Sequence, residues 1–196
     1  MEVWSIVVAA GSGRRFGGPK QLVELAGRRV VDRSVDAMAR VSAGVVVVGA
    51  ADQLEDLRSP LVSAVVAGGA TRSASVRAGL AALPSTASHV LVHDAARPLV
   101  PPAVCDRVVA ALADGADGVV PVVPVTDSLR TLDGAPVDRS GLVAVQTPQG
   151  FRVAALVEAH AGDADASDDA TLVSDAGGEV RHVDGCLLYT SDAADD

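Results

Sequence analysis

The chain contains one lysine, Lys20, and it closes a glycine-rich turn; no other pairing in the sequence carries as clear a chemical signal. Lys and Arg together number 16, and all the rest are Arg, including Arg14 and Arg15 just upstream. The turn, Ala9-Ala10-Gly11-Ser12-Gly13-Arg14-Arg15-Phe16-Gly17-Gly18-Pro19-Lys20, leaves the apolar run Val3 to Val8 directly. Such a bend presents consecutive backbone N–H groups as an anion-binding concavity, and a flexible ammonium adds a point charge that a planar guanidinium does not reproduce. Phosphate binding at the end of a buried strand is the chemistry implied. The spacing fits neither common phosphate loop. Phe16 stands where a dinucleotide fingerprint needs its third glycine. A Walker A loop needs Lys directly after its last glycine with Ser or Thr next, whereas here Pro19 intervenes and Gln21 follows.

These residues need a scaffold, and the remaining pattern supplies one. Apolar runs of strand length recur at Val3 to Ala9, Gly44 to Val48, Leu61 to Ala67, Val90 to His93, Gly118 to Val125 and Leu142 to Val145. Between them Val31, Val35 and Met38 fall at helical spacing, as do Val76, Leu80 and Leu83, while Val104, Val108 and Leu112 keep a four-residue step. Alternating strands and helices with short connections predict an α/β fold: a Rossmann-like, mainly parallel sheet with helices on both faces. Ligands of such a sheet bind beyond the carboxyl ends of its strands. The glycine turn occupies one such end, and His93-Asp94-Ala95-Ala96-Arg97-Pro98 occupies another. Residues Thr126 to Gly141 carry scattered charge, no helical stripe and a turn signal at Asp133-Gly134, which predicts a projecting β-arm.

Composition narrows the classes. A chain of 196 residues, 49% hydrophobic, suits one core, and residues 1–185 are expected to form a single domain. Aromatics are only 2%, so the core must be built of Val, Ala and Leu, which suits strands covered on both faces. A net charge of −9 argues against nucleic acid as a partner. No stretch approaches the roughly 20 apolar residues of a membrane span, and a soluble cytoplasmic protein is expected. Cys105 and Cys186 lie far apart with no CxxC pair, so both are expected to be inert thiols. Residues 186–196, which include the only Tyr, fit no preceding pattern and read as a non-native tail.

AAGSGRRF with Pro19-Lys20-Gln21 resembles a nucleotidyltransferase signature, and further motifs narrow the likeness. Gly68-Gly69 with Arg72 and Ser75-Val76, the His93 to Pro98 motif, Val137-Asp138-Arg139-Ser140-Gly141-Leu142, and Gln146-Thr147-Pro148-Gln149 recur in order. Together, from about Val3 to Gly185, they are similar to the 2-C-methyl-D-erythritol 4-phosphate cytidylyltransferases. The resemblance implies a nucleotide-diphospho-sugar transferase-like fold, a homodimer clasped through the arm, Mg²⁺ as cofactor, and CTP and a polyol phosphate as substrates. In nucleotidyl transfer an acceptor phosphate attacks the α-phosphate, charge grows on the equatorial oxygens and pyrophosphate leaves in line. A phosphate monoester, with a second pKa of about 6, needs no general base.

By resemblance, Arg15 and Lys20 are catalytic, stabilising the pentacoordinate transition state. The same likeness assigns nucleotide binding to Ala9, Ala10, Gly11, Ser12, Gly13, Arg14, Gly69, Arg72, Ser75, Asp94, Ala95 and Arg97. Asp94, a carboxylate at a strand end, is also the expected Mg²⁺ ligand. Ser75 would meet the cytosine ring beside Gly69. Ser128, Arg139, Thr147 and Ser167 would hold the acceptor, with Arg139 reaching over from a partner subunit. His93 is read as a packed core residue. The sequence departs from the family at Ala70, where Asp is common, at Ser128 and Ser167, where Thr is usual, and at its end, where an Asn, a Lys and a Thr are missing. Two alternatives stay open: a ribitol-5-phosphate cytidylyltransferase, which shares the nucleotide motifs, and a nucleotide-binding protein whose catalysis is impaired by the missing C-terminal residues.

Overall fold

The valines at 45–48 are fully buried because their strand lies inside a sheet that helices cover on both faces. The computed structural model describes residues 1–11, 13, 16–162, 166 and 168–187. The strands are β1 (Val3–Ala9), β2 (Glu24–Leu25), β3 (Arg28–Arg29), β4 (Val45–Gly49), β5 (Ala64–Ala67), β6 (His89–Asp94), β7 (Gly118–Pro124), β8 (Leu129–Arg130), β9 (Pro136–Val137), β10 (Val143–Val145), β11 (Gln149–Arg152) and β12 (Val180–Asp184). The helices are α1 (Val30–Ala39), α2 (Arg72–Ala81), α3 (Pro102–Ala113), α4 (Val153–Ala159) and α5 (Asp169–Asp175), with a short 3-10 turn at Lys20–Leu22.

Among the described residues eight strands form one mostly parallel sheet. From the β5 edge its order is β5-β4-β1-β6-β11-β7. β10 and β11 follow each other antiparallel along one edge of β7, at residues 122–124 and 118–119, while β12 runs parallel along the other. The antiparallel β11 therefore sits between β6 and β7, at the centre of the sheet. Sequence pattern predicts no strand there, because Gln-Gly-Phe-Arg offers neither alternation nor a β-branched run. β5 is shorter than expected: Leu61 is exposed, and the strand begins only at Ala64.

Alternation along the central strands divides the core. Val45 and Val47 of β4, Val7 of β1 and Leu91 of β6 face α1 and α3, where they meet Val31, Val35, Met38, Val104, Val108 and Leu112. Val46, Val48, Ile6, Val90 and Val92 face the opposite layer, with Val76 of α2, Leu156 of α4 and Val173 of α5. Fully burying each such side chain contributes about 1.5–3 kcal/mol. Caps fix the helix starts at this layer: Thr71 Oγ1 accepts the Ala74 N–H at 3.1 Å, and an Asp168 carboxylate oxygen accepts the Thr171 N–H at 2.8 Å.

Between β7 and β10 the chain forms a separate two-stranded ladder, β8 against β9. Its turn is closed by Gly134 N–H to the Thr131 carbonyl at 2.9 Å, with Gly134 at φ 92 and Leu132 wholly exposed. Cys186, the first residue assigned to the tail, is held by the Gln146 amide, which receives its N–H and donates to its carbonyl, both at 2.9 Å. Residues 188–196 lie outside the described residues.

Candidate functional site

Register brings the two motifs together. β1 and β6 are neighbours, paired Val8 with Asp94, so the glycine turn and the Asp94 to Arg97 turn leave the sheet side by side. The Ala95 N–H donates to the Val8 carbonyl at 3.0 Å, and the buried Ser34 of α1 donates to the Ala95 carbonyl at 2.9 Å. β4 and β5 end on the same edge, paired Gly49 with Ala67, and this delivers Gly68 and Gly69 to the same place. The result is a cleft of about 720 Å³ lined by Ala9, Ala10, Gly11, Gln21, Gly69, Ala70, Thr71, Arg72, Ser75, Asp94, Ala95 and Arg97, among others.

Glycine is required at two of these bends. Gly13 has φ 58, and a Cβ there would lie 1.7 Å from the Gly18 carbonyl oxygen. Its own carbonyl accepts the Phe16 and Gly18 N–H groups at 3.0 and 3.1 Å, which closes the turn. Gly69 packs so closely on α2 that a Cβ would lie 2.4 Å from that of Ala74. Gln21, almost fully buried, braces the first bend by donating to the Gly11 carbonyl at 3.3 Å and to Gln53 at 3.2 Å. Ser75 Oγ accepts the Gly69 N–H at 3.2 Å and donates to the Thr71 carbonyl at 3.0 Å.

From the opposite wall an alternating series of charged groups runs into the interior. The Asp94 carboxylate, 34% exposed, faces Arg97 Nε at 3.3 Å with one oxygen and Arg72 Nε at 3.8 Å with the other. Arg72 turns a second nitrogen to the fully buried Asp169 at 2.6 Å, and Asp169 meets His160 Nε2 at 2.9 Å. Burial works against the Arg72 charge, but the nearby carboxylates of Asp169 and Asp94 outweigh it and raise the pKa above the usual arginine value.

Behind Asp94 the His93 ring is fully buried. Nε2 donates to the Arg97 carbonyl at 3.0 Å, which leaves Nδ1 to accept from the Thr147 hydroxyl at 2.9 Å, while Thr147 Oγ1 accepts the Asp94 N–H at 3.2 Å. Burial pushes the His93 pKa down to about 4, against the opposing pull of Asp94.

The cleft thus gathers Ala9, Ala10, Gly11, Gly69, Arg72, Ser75, Asp94, Ala95 and Arg97. Ser12, Arg14, Arg15 and Ser167 lie outside the described residues. Lys20 sits at the exit of the glycine turn with Nζ 5.6 Å from the Phe16 ring centroid, a cation–π contact. Thr147 is buried beneath Asp94, with its hydroxyl joined to His93. Ser128 and Arg139 are exposed on the segment that carries β8 and β9, and the Arg139 guanidinium donates to the Thr126 carbonyl. Sequence reasoning missed Gln21, His160 and Asp169. A lone His, and an Asp 97 residues from Arg72, leave no spacing signal. Asp168 three residues before Thr171, by contrast, is a cap signal that could have located α5.

The donor set fits Mg²⁺ in one mode only. Among the described residues no three His, Cys, Asp or Glu side chains group to hold a metal. Mg²⁺ is commonly bound through one or two carboxylates, with substrate phosphates and water completing the shell. Asp94, partly exposed in the cleft, is a carboxylate of that kind.

Residues 3–188 match the family model described as IspD, 2-C-methyl-D-erythritol 4-phosphate cytidylyltransferase. The enzyme of that name from Rhodococcus opacus (strain B4) is 46% identical over 196 residues, covering 93% of this chain and 86% of its own length. A bifunctional enzyme IspD/IspF from Clavibacter michiganensis is 45% identical, with 93% of this chain matching 49% of that protein. The crystal structure of the 2-C-methyl-D-erythritol 4-phosphate cytidylyltransferase from Thermus thermophilus superposes with a TM-score of 0.83 at 37% identity, covering 97% of this chain and 92% of that one.

Proposed function

Because the chain belongs to the 2-C-methyl-D-erythritol 4-phosphate cytidylyltransferase family, we propose that the cleft between the glycine turn and Asp94 is where it holds CTP. The reaction is that of the family: CMP passes from CTP to 2-C-methyl-D-erythritol 4-phosphate, giving CDP-methylerythritol and pyrophosphate for isoprenoid synthesis. One observation carries the assignment of the site. The Val8–Asp94 register sets the glycine-rich bend against a carboxylate flanked by two guanidinium groups, all opening on one cleft.

Each part of the site has its own work. The glycine-rich bend is assigned to the polyphosphate, and Arg15 and Lys20 are assigned to oppose the charge that grows on the α-phosphate as the acceptor phosphate oxygen bonds to phosphorus and the bond to the β-phosphate oxygen breaks. Asp94 would hold a Mg²⁺ ion, which would supply charge neutralisation to the phosphates. Ser75 has committed its proton to the Thr71 carbonyl, so what it offers a base is a lone pair. The exocyclic amine of cytosine can donate to that lone pair, whereas uracil carries a carbonyl at the same position. This supports selection of cytosine even though Ala70 replaces the family's usual Asp.

The acceptor is assigned to the side of the cleft near Thr147, with Ser128, Ser167 and a partner's arm arginine, Arg139 of the other copy, completing its site. An arm with wholly exposed Leu132 and a following strand with exposed Val143 and Val145 support a homodimer joined there. The cleft draws on residues from β1 to the N-terminus of α2 and the end of β6, and Asp169 of α5 braces it, which supports one nucleotidyltransferase unit over 1–185. Consumption of CTP, a soluble nucleotide, supports a cytoplasmic location.

Pyrophosphate release from CTP tests the assignment, with the two polyol phosphates offered separately. Turnover with methylerythritol phosphate that stops on chelation of Mg²⁺ is expected. Preference for ribitol 5-phosphate would reassign the acceptor, and no release with either would reduce the protein to a nucleotide binder.

A further inference from the structure

Arg72 has two carboxylates within reach, and they are not equivalent. Asp169 holds one of its nitrogens at 2.6 Å, while Asp94 lies 3.8 Å from Nε. Asp169 is wholly buried and belongs to α5, 97 residues away in sequence; it lines no part of the cleft. A buried carboxylate persists only where its charge and lone pairs are matched. Asp169 satisfies one oxygen with Arg72 and the other with His160 Nε2 at 2.9 Å. The His160 side chain is itself only 2% exposed, so no water can easily take its place.

We propose that Asp169 and His160 are positioning residues that hold the Arg72 guanidinium against the nucleotide cleft and off Asp94. The proposal rests on the reading of the cleft as the CTP site. An arginine stem is long and carries considerable rotamer freedom, so a guanidinium at a cleft wall needs a partner to fix its direction. Asp169 supplies that partner with a charge-assisted hydrogen bond, and His160 keeps the carboxylate from rotating. The consequence reaches Asp94. With Arg72 drawn to Asp169, the nearer Asp94 oxygen keeps only a long contact with Nε and stays open to a cation and its phosphates. Without Asp169, the nearest remaining carboxylate to Arg72 is Asp94 among the described residues, and the guanidinium would close on it.

The test is equilibrium binding of CTP by calorimetry, done without acceptor, on the unmutated chain and on Asp169→Asn, His160→Phe, His160→Gln and Arg72→Ala, each with a melting curve. Asp169→Asn should weaken CTP about 10- to 100-fold, the amount expected from losing a charge-assisted bond that orients a ligand group. His160→Phe should weaken it in the same direction, and His160→Gln, which restores an amide donor, should recover most of the loss. The deciding comparison is the double variant: added to Arg72→Ala, Asp169→Asn should cost no further CTP affinity, because it acts through Arg72. Losses that add in full, or His160→Phe and Asp169→Asn chains that melt as folded proteins yet bind CTP as tightly as the parent, would overturn the proposal. If Asp169→Asn fails to fold, the His160 pair decides by the same criterion. An unmutated chain that binds no CTP would overturn the reading of the cleft, and this inference with it.

Discussion

His93 and Thr147, 54 residues apart in the chain, meet at 2.9 Å inside the protein, and that contact ties the Asp94 to Arg97 turn to the segment between β10 and β11. The ring accepts from the hydroxyl and donates to the Arg97 carbonyl, while the hydroxyl accepts the Asp94 N–H. These two buried side chains, with Ser34 on the Ala95 carbonyl, therefore set the shape of the Asp94 to Arg97 turn.

Thr147→Val keeps the volume and removes the hydroxyl, leaving a buried N–H and a buried ring nitrogen without a partner. A loss of about 1–3 kcal/mol in unfolding free energy is expected. Thr147→Ser, which keeps the hydroxyl, should retain most of it. Urea unfolding of the three proteins measures both.

The neutral His93 ring also makes stability depend on pH. Its folded pKa lies near 4, below the ordinary value of 6.5, so the unfolded chain takes up the proton first on acidification. The stabilisation is complete above pH 6.5 or so and is lost as pH falls toward 4; partly buried His89, also lowered by burial, adds in the same sense. Between pH 7 and pH 5 the parent should lose on the order of 2 kcal/mol more than His93→Gln, read from urea unfolding at the two pH values.

Gly13→Ala should damage the turn more than the fold. A Cβ at φ 58 and 1.7 Å from the Gly18 carbonyl forces the bend to rebuild, yet no described residue of the bend at 10–13 belongs to either core cluster. CTP affinity should fall at least tenfold or so while the melting temperature moves by only a few degrees. Calorimetry and a melting curve on one sample separate the two.

The parts of this protein that were legible in its sequence are those where one local pattern decides the structure. The valine runs of β1, β4 and β7 and the stripes Val31-Val35-Met38 and Val104-Val108-Leu112 lie where periodicity puts them, buried against each other. The two turns at strand ends were legible for the same reason, since glycine and a buried strand limit the chain locally. β11 was not, because Gln149, Gly150 and Phe151 are buried by their place between β6 and β7 rather than by pattern. The His160–Asp169–Arg72 series was hidden likewise: its three members meet only after the sheet has formed.

Lys20→Ala should lower turnover at least 10²-fold, with a smaller change in CTP affinity, because a charge aimed at the transition state is lost. Lys20→Arg should not restore the rate, since a planar fork replaces a point charge. Steady-state kinetics set beside CTP calorimetry show whether turnover and binding separate.

Ser75→Ala should erode base selection. Without the lone pair facing the base, the preference for CTP over UTP should fall roughly fivefold to tenfold, the worth of one hydrogen bond. Competition between the two nucleotides in the pyrophosphate assay reports the ratio.

The most direct test is a crystal structure of the chain with CTP and Mg²⁺. The account predicts the polyphosphate against the backbone of the bend at 10–13, the cytosine beside Gly69 and Ser75, and the metal on Asp94. A polyphosphate bound elsewhere, with that bend free of ligand, would contradict it.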